Sequence, residues 1–299
     1  MSSQQPEADP ADRLPSYGGQ AVIEGVMMRG TRVCATAVRA PDGTIVIKTA
    51  PLSGLYRGRM PRIPFLRGLL ALVDALVLGM RSLAFSAGVQ AGEAVSSAPM
   101  AASMIVSLAA GVALFFLIPA GAGYLAERVW GWSGLAANAT EGVIRLGLLL
   151  GYVGAIGILP EVRRVYAYHG AEHKTIHAFE ARAELDPAVI AAYPREHPRC
   201  GTAFLLTVVV FSVVLFSLLG PMALLPRLLS RILLIPVLAS LAYEYIRLTG
   251  RWAGTFWGRL LAGPNLAIQR LTTREPDPAM MEVAVAAFQA MRQGEQAIS

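Results

Sequence analysis

Charged residues are scarce in this sequence of 299 residues: Asp, Glu, Lys and Arg make up only 15% of it, whereas 55% of it is hydrophobic. The mean hydropathy is +0.51. A composition this apolar excludes an intrinsically disordered chain and a simple soluble enzyme. Cysteine is scarce too, since Cys34 and Cys200 are the only two. One pair excludes a disulfide scaffold and is typical of a reducing compartment.

Long uncharged runs predict a mainly α-helical, polytopic membrane bundle with about four transmembrane helices. The 26 residues between Met100 and Glu127 carry no charge, enough to cross a hydrocarbon core about 30 Å thick. The other predicted spans cover residues 146–160, 202–226 and 228–246, the last with a kink at Pro236. The chain therefore belongs in a lipid bilayer.

Residues 65–95 are apolar as well, but Arg67, Asp74 and Arg81 interrupt them. Asp74 and Arg81 share one face of a helix, which favours an amphipathic helix at the membrane interface over a span. The predicted organisation is a disordered tail at 1–16, a small cytoplasmic β-unit at 17–62, this helix at 63–99, a four-helix membrane domain at 100–271 with a cytoplasmic loop at 160–201, and a C-terminal cytoplasmic helix at 272–299.

Lys and Arg are distributed unevenly around the runs: ten precede residue 100, six lie in the loop at 160–201 and six follow Ile246, whereas Arg128 alone lies between the first two spans. Because positive charge stays on the cytoplasmic side, both termini are expected there. The net charge of +6 thus reflects topology. A basic stripe interleaved with aromatic residues is not visible, so nucleic acid is not an expected partner. Residues 1–15 do not read as a secretory signal.

The segment at 18–49 alternates in the manner of short strands, predicted at Ala21–Met28, Val33–Arg39 and Thr44–Lys48. Its glycine-rich part, residues 18–30, contains Glu24 and Arg29. Glycines this dense would let the segment fold over a ligand. The alternative is a set of turns in a small sheet with a Glu24–Arg29 ion pair. A terminal amphipathic helix is predicted at 276–291.

All four histidines, His169, His173, His177 and His197, lie within one cytoplasmic loop. On a helix His169 and His173 are about 6 Å apart along the axis and can hold one metal ion, whereas His177 is too far from His169 to join them. The spacing His-x-x-Glu-His is the reversed zinc-protease pattern, in which Glu172 would be the general base. A divalent metal is predicted, with zinc the first choice and manganese, iron or nickel as alternatives.

The third protein ligand must come from another part of the sequence. His197 is slightly favoured, then Glu244, with Cys200 and Glu180 as further candidates. A small packed residue is the more typical role for Cys200. The remaining assignments of this region are His177 as an outer or solvated residue, Lys174 as an exposed lysine or a partner for a substrate anion, and Arg199 as an anchor for a lipid headgroup.

Three segments carry a resemblance: GGQAVIEGVMMRG at 18–30, YHGAEHKTIHAFE at 168–180 and HPRCGTAFLL at 197–206. In this order they resemble the YqhQ-like family of bacterial membrane proteins, over residues 17–271. The family is a domain of unknown function whose members are described as predicted metal-dependent enzymes, and the resemblance implies the bacterial inner membrane. His177 and Ala203 look like departures from its motifs. The residues that match are Glu24, Arg29, His169, Glu172, His173, Lys174, His197, Arg199 and Cys200.

Three hypotheses follow for function. The first is a metal-dependent hydrolase that cleaves a peptide or lipid-linked bond at the cytoplasmic membrane surface, with a protein or a lipid-linked molecule as substrate. The second is a non-catalytic scaffold with a structural metal or none. The third, an ion or metal transporter, is least favoured, because the two most apolar predicted spans carry no ionisable residue.

Overall fold

The computed structural model describes residues 14–15, 17–52, 63–93, 97–252 and 255–298. Within them the chain is mainly α-helical with one small N-terminal sheet, as predicted. Of the predicted tail at 1–16, only residues 14 and 15 are described, and the rest lies outside the described residues. The end of the predicted β-unit, 53–62, lies outside them too.

The sheet has four antiparallel strands in the order β1 (Gly18–Val22), β2 (Gly25–Arg29), β3 (Val33–Arg39) and β4 (Ile45–Pro51). The predicted strand at Val33–Arg39 is confirmed. The single strand predicted at Ala21–Met28 is wrong, because a tight turn divides it. Glu24 in that turn has φ of 52°, a left-handed conformation that breaks the ladder. Apolar alternation continues on both sides of the turn and hid it from the sequence.

The inner strands β2 and β3 pack on both faces, because their side chains alternate between the two sides of the sheet, whereas most of β4 is exposed. Val26 and Met28 point into the main core, which β2 and β3 form with α5 (Pro160–Glu180) and α11 (Pro278–Ile298). Met27 and Cys34 pack on the other side against Leu78 of α1 (Leu66–Ala91). The predicted C-terminal helix is confirmed, and Asp277 Oδ1 caps it by accepting from Met280 N at 2.8 Å.

The remaining helices are α2 (Ser97–Val112) and α3 (Ile118–Trp130), joined by a π-helical turn at Ala113–Leu117, then α4 (Gly134–Ile156), α6 (Pro187–Ile190), α7 (Ala203–Ser217), α8 (Leu224–Leu233), α9 (Ile235–Arg251) and α10 (Phe256–Thr272). By length and composition three helical stretches could cross a membrane: α1, residues 99–130 and α4. The pair α8 and α9, bent by 44°, would be a fourth.

The predicted span at 202–226 does not form one long helix. α7 has 15 residues and is about 22 Å long, shorter than a hydrocarbon core. It stops because Gly220 adopts a left-handed φ of 69° and Pro221 cannot continue a helix.

α1 packs against α9 through its first turns, where a Cβ on Gly68 would lie 2.9 Å from the Tyr243 side chain, and its later turns lie along the sheet. Asp74 forms an ion pair with Arg29 at 2.6 Å, Ser82 and Thr36 share a hydrogen bond of 3.1 Å, and Gln90 Nε2 donates to Arg39 O at 2.7 Å. Its other side exposes apolar residues such as Val73 and Leu76. α1 therefore has one face for protein and one that is apolar and exposed.

The bundle encloses a buried network of one glutamate and two arginines, which no sequence pattern predicted. Glu141 on α4 accepts from Arg145 at 2.6 Å and from Arg231 on α8 at 2.7 Å. Arg145 Nε also donates to Phe115 O in the π-helical turn at 2.7 Å, and Arg231 Nη2 donates to Asn138 Oδ1 at 3.1 Å. Because the charges satisfy one another inside the protein, the outer surface of α4 stays apolar.

Candidate metal centre

The histidine helix α5 fits closely against the connector that follows α10. At Gly170 a Cβ atom would lie 2.2 Å from Arg274 O, so glycine is required for this approach. Arg274 N in turn donates to Tyr166 O at 2.9 Å. The approach brings the carbonyl of Thr272 to the ring of His169, where Nδ1 and Thr272 O are 2.9 Å apart.

His169, His173 and Cys200 form a compact group in which one donor atom from each lies within 4.8 Å of the others. His169 Nε2 and Cys200 Sγ are 3.2 Å apart. His173 Nδ1 lies 2.6 Å from Arg195 O, which leaves Nε2 as its metal-binding atom. Ligands on a tetrahedral zinc ion are about 3.3–3.6 Å apart at the usual bond lengths. The donor set and its spacing therefore fit a zinc-like ion.

Backbone carbonyls fix both rings of this group. With Nδ1–H donated to Thr272 O and Arg195 O respectively, His169 and His173 each present an unprotonated Nε2 toward Cys200. Histidine ligands in metalloproteins are held in the same way, because the second hydrogen bond selects the tautomer and the ring orientation. Burial also lowers the pKa of His173, so the neutral imidazole that a metal needs is the stable form at pH 7.

Cys200 reaches the histidines because a buried glutamine holds its loop. Gln269 of α10 accepts from His197 N at 2.8 Å and donates to His197 O at 3.0 Å. Cys200 N then donates to His197 O at 3.1 Å, and Thr202 N lies 3.4 Å from Cys200 Sγ. Such N–H contacts stabilise a thiolate ligand. From the sequence, Cys200 is a further candidate ligand for which packing is the favoured role, and no local pattern marks Gln269 or Thr272.

His197 belongs to a second group, with His177 and Glu180, whose donor atoms also lie within 4.8 Å of one another. His197 Nε2 and Glu180 Oε2 are 3.4 Å apart, and His197 Nδ1 accepts from Arg199 N at 3.3 Å. Because Nδ1 accepts a hydrogen bond, the proton of the neutral ring is on Nε2. Nε2 is therefore not available to a metal ion. Arg199 also forms an ion pair with Glu180. This group is a hydrogen-bonded network, and it fits a cation less well than the first group.

Glu172 is fully buried between α5 and β1. Its Cδ lies 3.0 Å from the point that a Cβ of Gly19 would occupy, and Gly19 N hydrogen-bonds to the carboxyl group. Burial raises its pKa to about 7. Gly19 is therefore required for this packing, since any side chain there would displace Glu172.

The structure separates other predicted site residues from the three candidate ligands His169, His173 and Cys200. Glu244 on α9 accepts from Arg67 Nε at 2.7 Å, and no group of possible ligands among the described residues includes it. Arg29 is paired with Asp74. The alternative Glu24–Arg29 ion pair is wrong, because Glu24 accepts from Arg164 on α5 instead. Tyr168 Oη donates to Glu24 Oε2 as well, at 3.3 Å.

Lys174 is buried, which contradicts the prediction of an exposed lysine. Its Nζ donates to Ala191 O at 2.7 Å and to Tyr193 O at 2.8 Å, and it pairs with Glu275 at 2.6 Å. Lys174 thereby positions the segment that ends in Arg195, whose carbonyl fixes His173.

Comparison with known proteins assigns the family. A family model described as "Protein of unknown function (DUF1385)" matches residues 63–294, which is most of the chain. This chain belongs to the DUF1385 family. The matched residues include all three candidate ligands, Gln269 and most of α11. The "Uncharacterized protein YqhQ" of Bacillus subtilis (strain 168) is 33% identical over 291 residues, which cover 92% of this chain and 91% of YqhQ. The YqhQ-like resemblance is therefore confirmed, and no solved structure matches this member of DUF1385.

Proposed function

We propose that this DUF1385 protein is a polytopic inner-membrane protein with a cytoplasm-facing centre of His169, His173 and Cys200, and that the centre holds a divalent metal for hydrolysis of a bond at the membrane surface. The single observation that carries the proposal is the arrangement of these three donors, with both histidine rings fixed by backbone carbonyls.

The exposed surface of the helices supports the membrane part of the proposal. Ile105, Val106 and Leu108 on α2 are each at least 60% exposed, and a soluble protein rarely leaves such a continuous apolar face uncovered. All four tryptophans are exposed and lie at or beside helix ends: Trp130 ends α3, Trp132 precedes α4, Trp252 follows α9 and Trp257 is in the first turn of α10. Exposed tryptophan near the ends of apolar helices is typical of a membrane interface.

Three protein ligands support a catalytic centre, because structural zinc sites usually have four and catalytic sites leave one position for water or substrate. A zinc ion bound there would supply Lewis acidity and lower the pKa of its water. The chain contributes the rest: backbone carbonyls fix the rings of His169 and His173, while Gln269 holds the loop of Cys200.

The position of Glu172 favours the second candidate function, a scaffold whose metal stabilises the cytoplasmic unit. A general base must reach the water or substrate, whereas Glu172 is enclosed against Gly19. Transport is less favoured than either, because Asp74 and Glu244, which a path through the bundle would need, are paired with Arg29 and Arg67.

Metal content tests the centre directly. The full chain, purified in detergent, is analysed by mass spectrometry beside the His169→Ala/His173→Ala variant and, as a control from the same helix, His177→Ala. We expect close to one metal ion per chain in the wild type and in the control, and almost none in the double variant. A wild-type protein that takes up no zinc, manganese or cobalt would overturn the proposal.

Cobalt substitution separates the two candidates. A Co²⁺ ion at this centre should show a thiolate charge-transfer band that disappears in Cys200→Ser. An anion such as azide should change the cobalt spectrum if one coordination position is open, as hydrolysis requires. An unchanged spectrum would indicate a closed, structural site and favour the scaffold.

A further inference from the structure

A cavity of about 550 Å³ opens where α4 turns into α5 and meets the connector after α10. Its walls come from four different parts of the chain, so it exists only in the folded protein. The lining residues that bear on its chemistry are Ile158, Arg163, Arg164, Arg195, Arg274 and Glu275.

The cavity is strongly basic. It has four guanidinium groups and a single carboxylate, Glu275, which is already paired with Lys174 at 2.6 Å. Arg164 is paired with Glu24, and Arg274 Nη1 donates to backbone carbonyls. Arg195 forms only a long ion pair with Glu196, at 3.7 Å, which is beyond hydrogen-bonding distance. Arg163, which has no ion pair among the described residues, and the weakly paired Arg195 give the cavity wall its positive excess.

An anion with several oxygens suits this wall. Guanidinium groups bind phosphate through paired hydrogen bonds. α5 begins at Pro160 in the same wall, so the positive end of its dipole adds to the attraction. A carboxylate offers two oxygens to such a wall, whereas a phosphate offers three or four and carries more negative charge.

The cavity also has an apolar part, to which Ile158 belongs. Ile158 and its neighbour Leu159 lie between α4 and α5 and are 79% and 51% exposed. Under the proposed topology these side chains stand at the cytoplasmic surface of the bilayer. A ligand that joins a phosphate to a hydrocarbon chain would match both parts of the site, and a free phosphate ion would use only one of them.

The cavity shares two of its walls with the metal centre. The carbonyl of Arg195 fixes His173 at 2.6 Å, while the side chain of Arg195 lines the cavity. Arg274 stands two residues after Thr272, whose carbonyl fixes His169. A ligand in the cavity is thus adjacent to the elements that carry both histidines.

We propose that this cavity binds the phosphate of an anionic, phosphate-bearing lipid, with Arg163 and Arg195 as its principal contacts. The inference deepens the proposed function, on which it rests for the membrane topology, by naming phosphate-bearing lipids as the substrate class of the centre.

Lipid binding to the purified full chain tests this inference. Native mass spectrometry compares phosphatidic acid with phosphatidylcholine of the same acyl chains. Arg163→Ala/Arg195→Ala should bind phosphatidic acid about 10- to 30-fold more weakly than the wild type, the loss expected for two basic contacts. Arg128→Ala/Arg259→Ala removes the same charge from exposed positions elsewhere and should bind like the wild type. Arg163→Lys/Arg195→Lys, which keeps the charge without the fork, should be intermediate.

Two outcomes would overturn the inference: equal binding of the two lipids by the wild type, or an unchanged affinity for phosphatidic acid in Arg163→Ala/Arg195→Ala. Inorganic phosphate is tested separately as a thermal stabiliser. If it protects the wild type while phosphatidic acid binds no better than phosphatidylcholine, the lipid assignment fails and the ligand is a soluble phosphate compound. Metal content is measured on the same samples, because a wild type without metal contradicts the proposed centre and leaves the lipid result to be judged independently.

Discussion

Two histidine groups lie side by side where α5 meets the loop that carries His197 and Cys200. They differ in which of their donor atoms remain available to a metal ion. In the group of His169, His173 and Cys200 the side-chain donors face one another, and backbone carbonyls bind the outer ring nitrogens. In the group of His177, Glu180 and His197 the donors are already used, since Glu180 accepts from His197 and pairs with Arg199. Clustering of potential ligands is thus insufficient for a metal site; what matters is which atoms remain to bind the ion.

The largest difference between the two groups is expected when one histidine is removed from each. His173→Ala deletes a direct ligand, and we expect the affinity for zinc to fall by more than about 100-fold, beyond the usual loss for an outer-shell residue. His177→Ala should change it by about twofold or less. A titration against a competing chelator measures both, and equal losses would mean that the two groups act as one site.

Closing the space at Gly170 should damage only the first group. Gly170→Ala places a Cβ 2.2 Å from Arg274 O, so the connector must move and Thr272 O leaves His169. We expect a loss of about 2–3 kcal/mol in unfolding free energy and of about tenfold in zinc affinity. The control is Gly154→Ala on α4, where a Cβ meets nothing within 4 Å. If both alanine variants lower the melting temperature equally, the close approach is not the cause.

Gln269 should connect the two groups, because the loop it holds carries both His197 and Cys200. Gln269→Leu leaves the backbone N–H and C=O of His197 buried without these partners, which costs about 1–3 kcal/mol. Zinc affinity should fall as well, by about tenfold, since Cys200 is no longer positioned. Thermal unfolding and chelator titration report the two effects, and unchanged zinc affinity would separate Cys200 from the loop.

The smallest change in stability and zinc binding is expected from Glu180→Gln, because this substitution alters the second group alone. Burial raises the pKa of Glu180, but the hydrogen bond from His197 and the charge of Arg199 outweigh burial and lower it overall. A lowered pKa means that the stabilisation is present above the unfolded value near 4.3 and is lost as the pH falls. The variant should be at most about 1 kcal/mol less stable at pH 7 and no different at low pH. Urea unfolding at several pH values measures this, and a loss of zinc would contradict it.

The sequence predicts the parts of this site that depend on helical periodicity, and fails where contacts come from distant segments. His169 and His173 share a helix face at a spacing of four residues, so their pairing is visible without a structure. Cys200 joins them only because Gln269, 72 residues from His197, holds the loop. Nothing in the local pattern specifies that contact.

The same distinction explains the errors in the fold. Long uncharged windows locate residues 99–130, but they say nothing of Arg145, whose charge is satisfied by Glu141 inside the bundle. The His-x-x-Glu-His pattern fixes the position of Glu172 along the chain. The surroundings of its side chain depend on Gly19, which lies 153 residues earlier in the sequence. A motif specifies spacing, and tertiary packing decides what each side chain meets.

The contact of α11 with the N-terminal sheet has a consequence for biogenesis. Glu295 accepts from Thr31 Oγ1 at 2.8 Å and from Tyr17 Oη at 2.9 Å, across 264 and 278 residues. A ribosome therefore releases the sheet long before it makes the helix that covers it, and every apolar helix of the bundle is synthesised in the interval. At about 5–20 residues per second, the strands wait at least about ten seconds for their partner. During that time Val26 and Met28 lack the helix that buries them in the folded protein, and α5 cannot complete its packing until α11 has been synthesised.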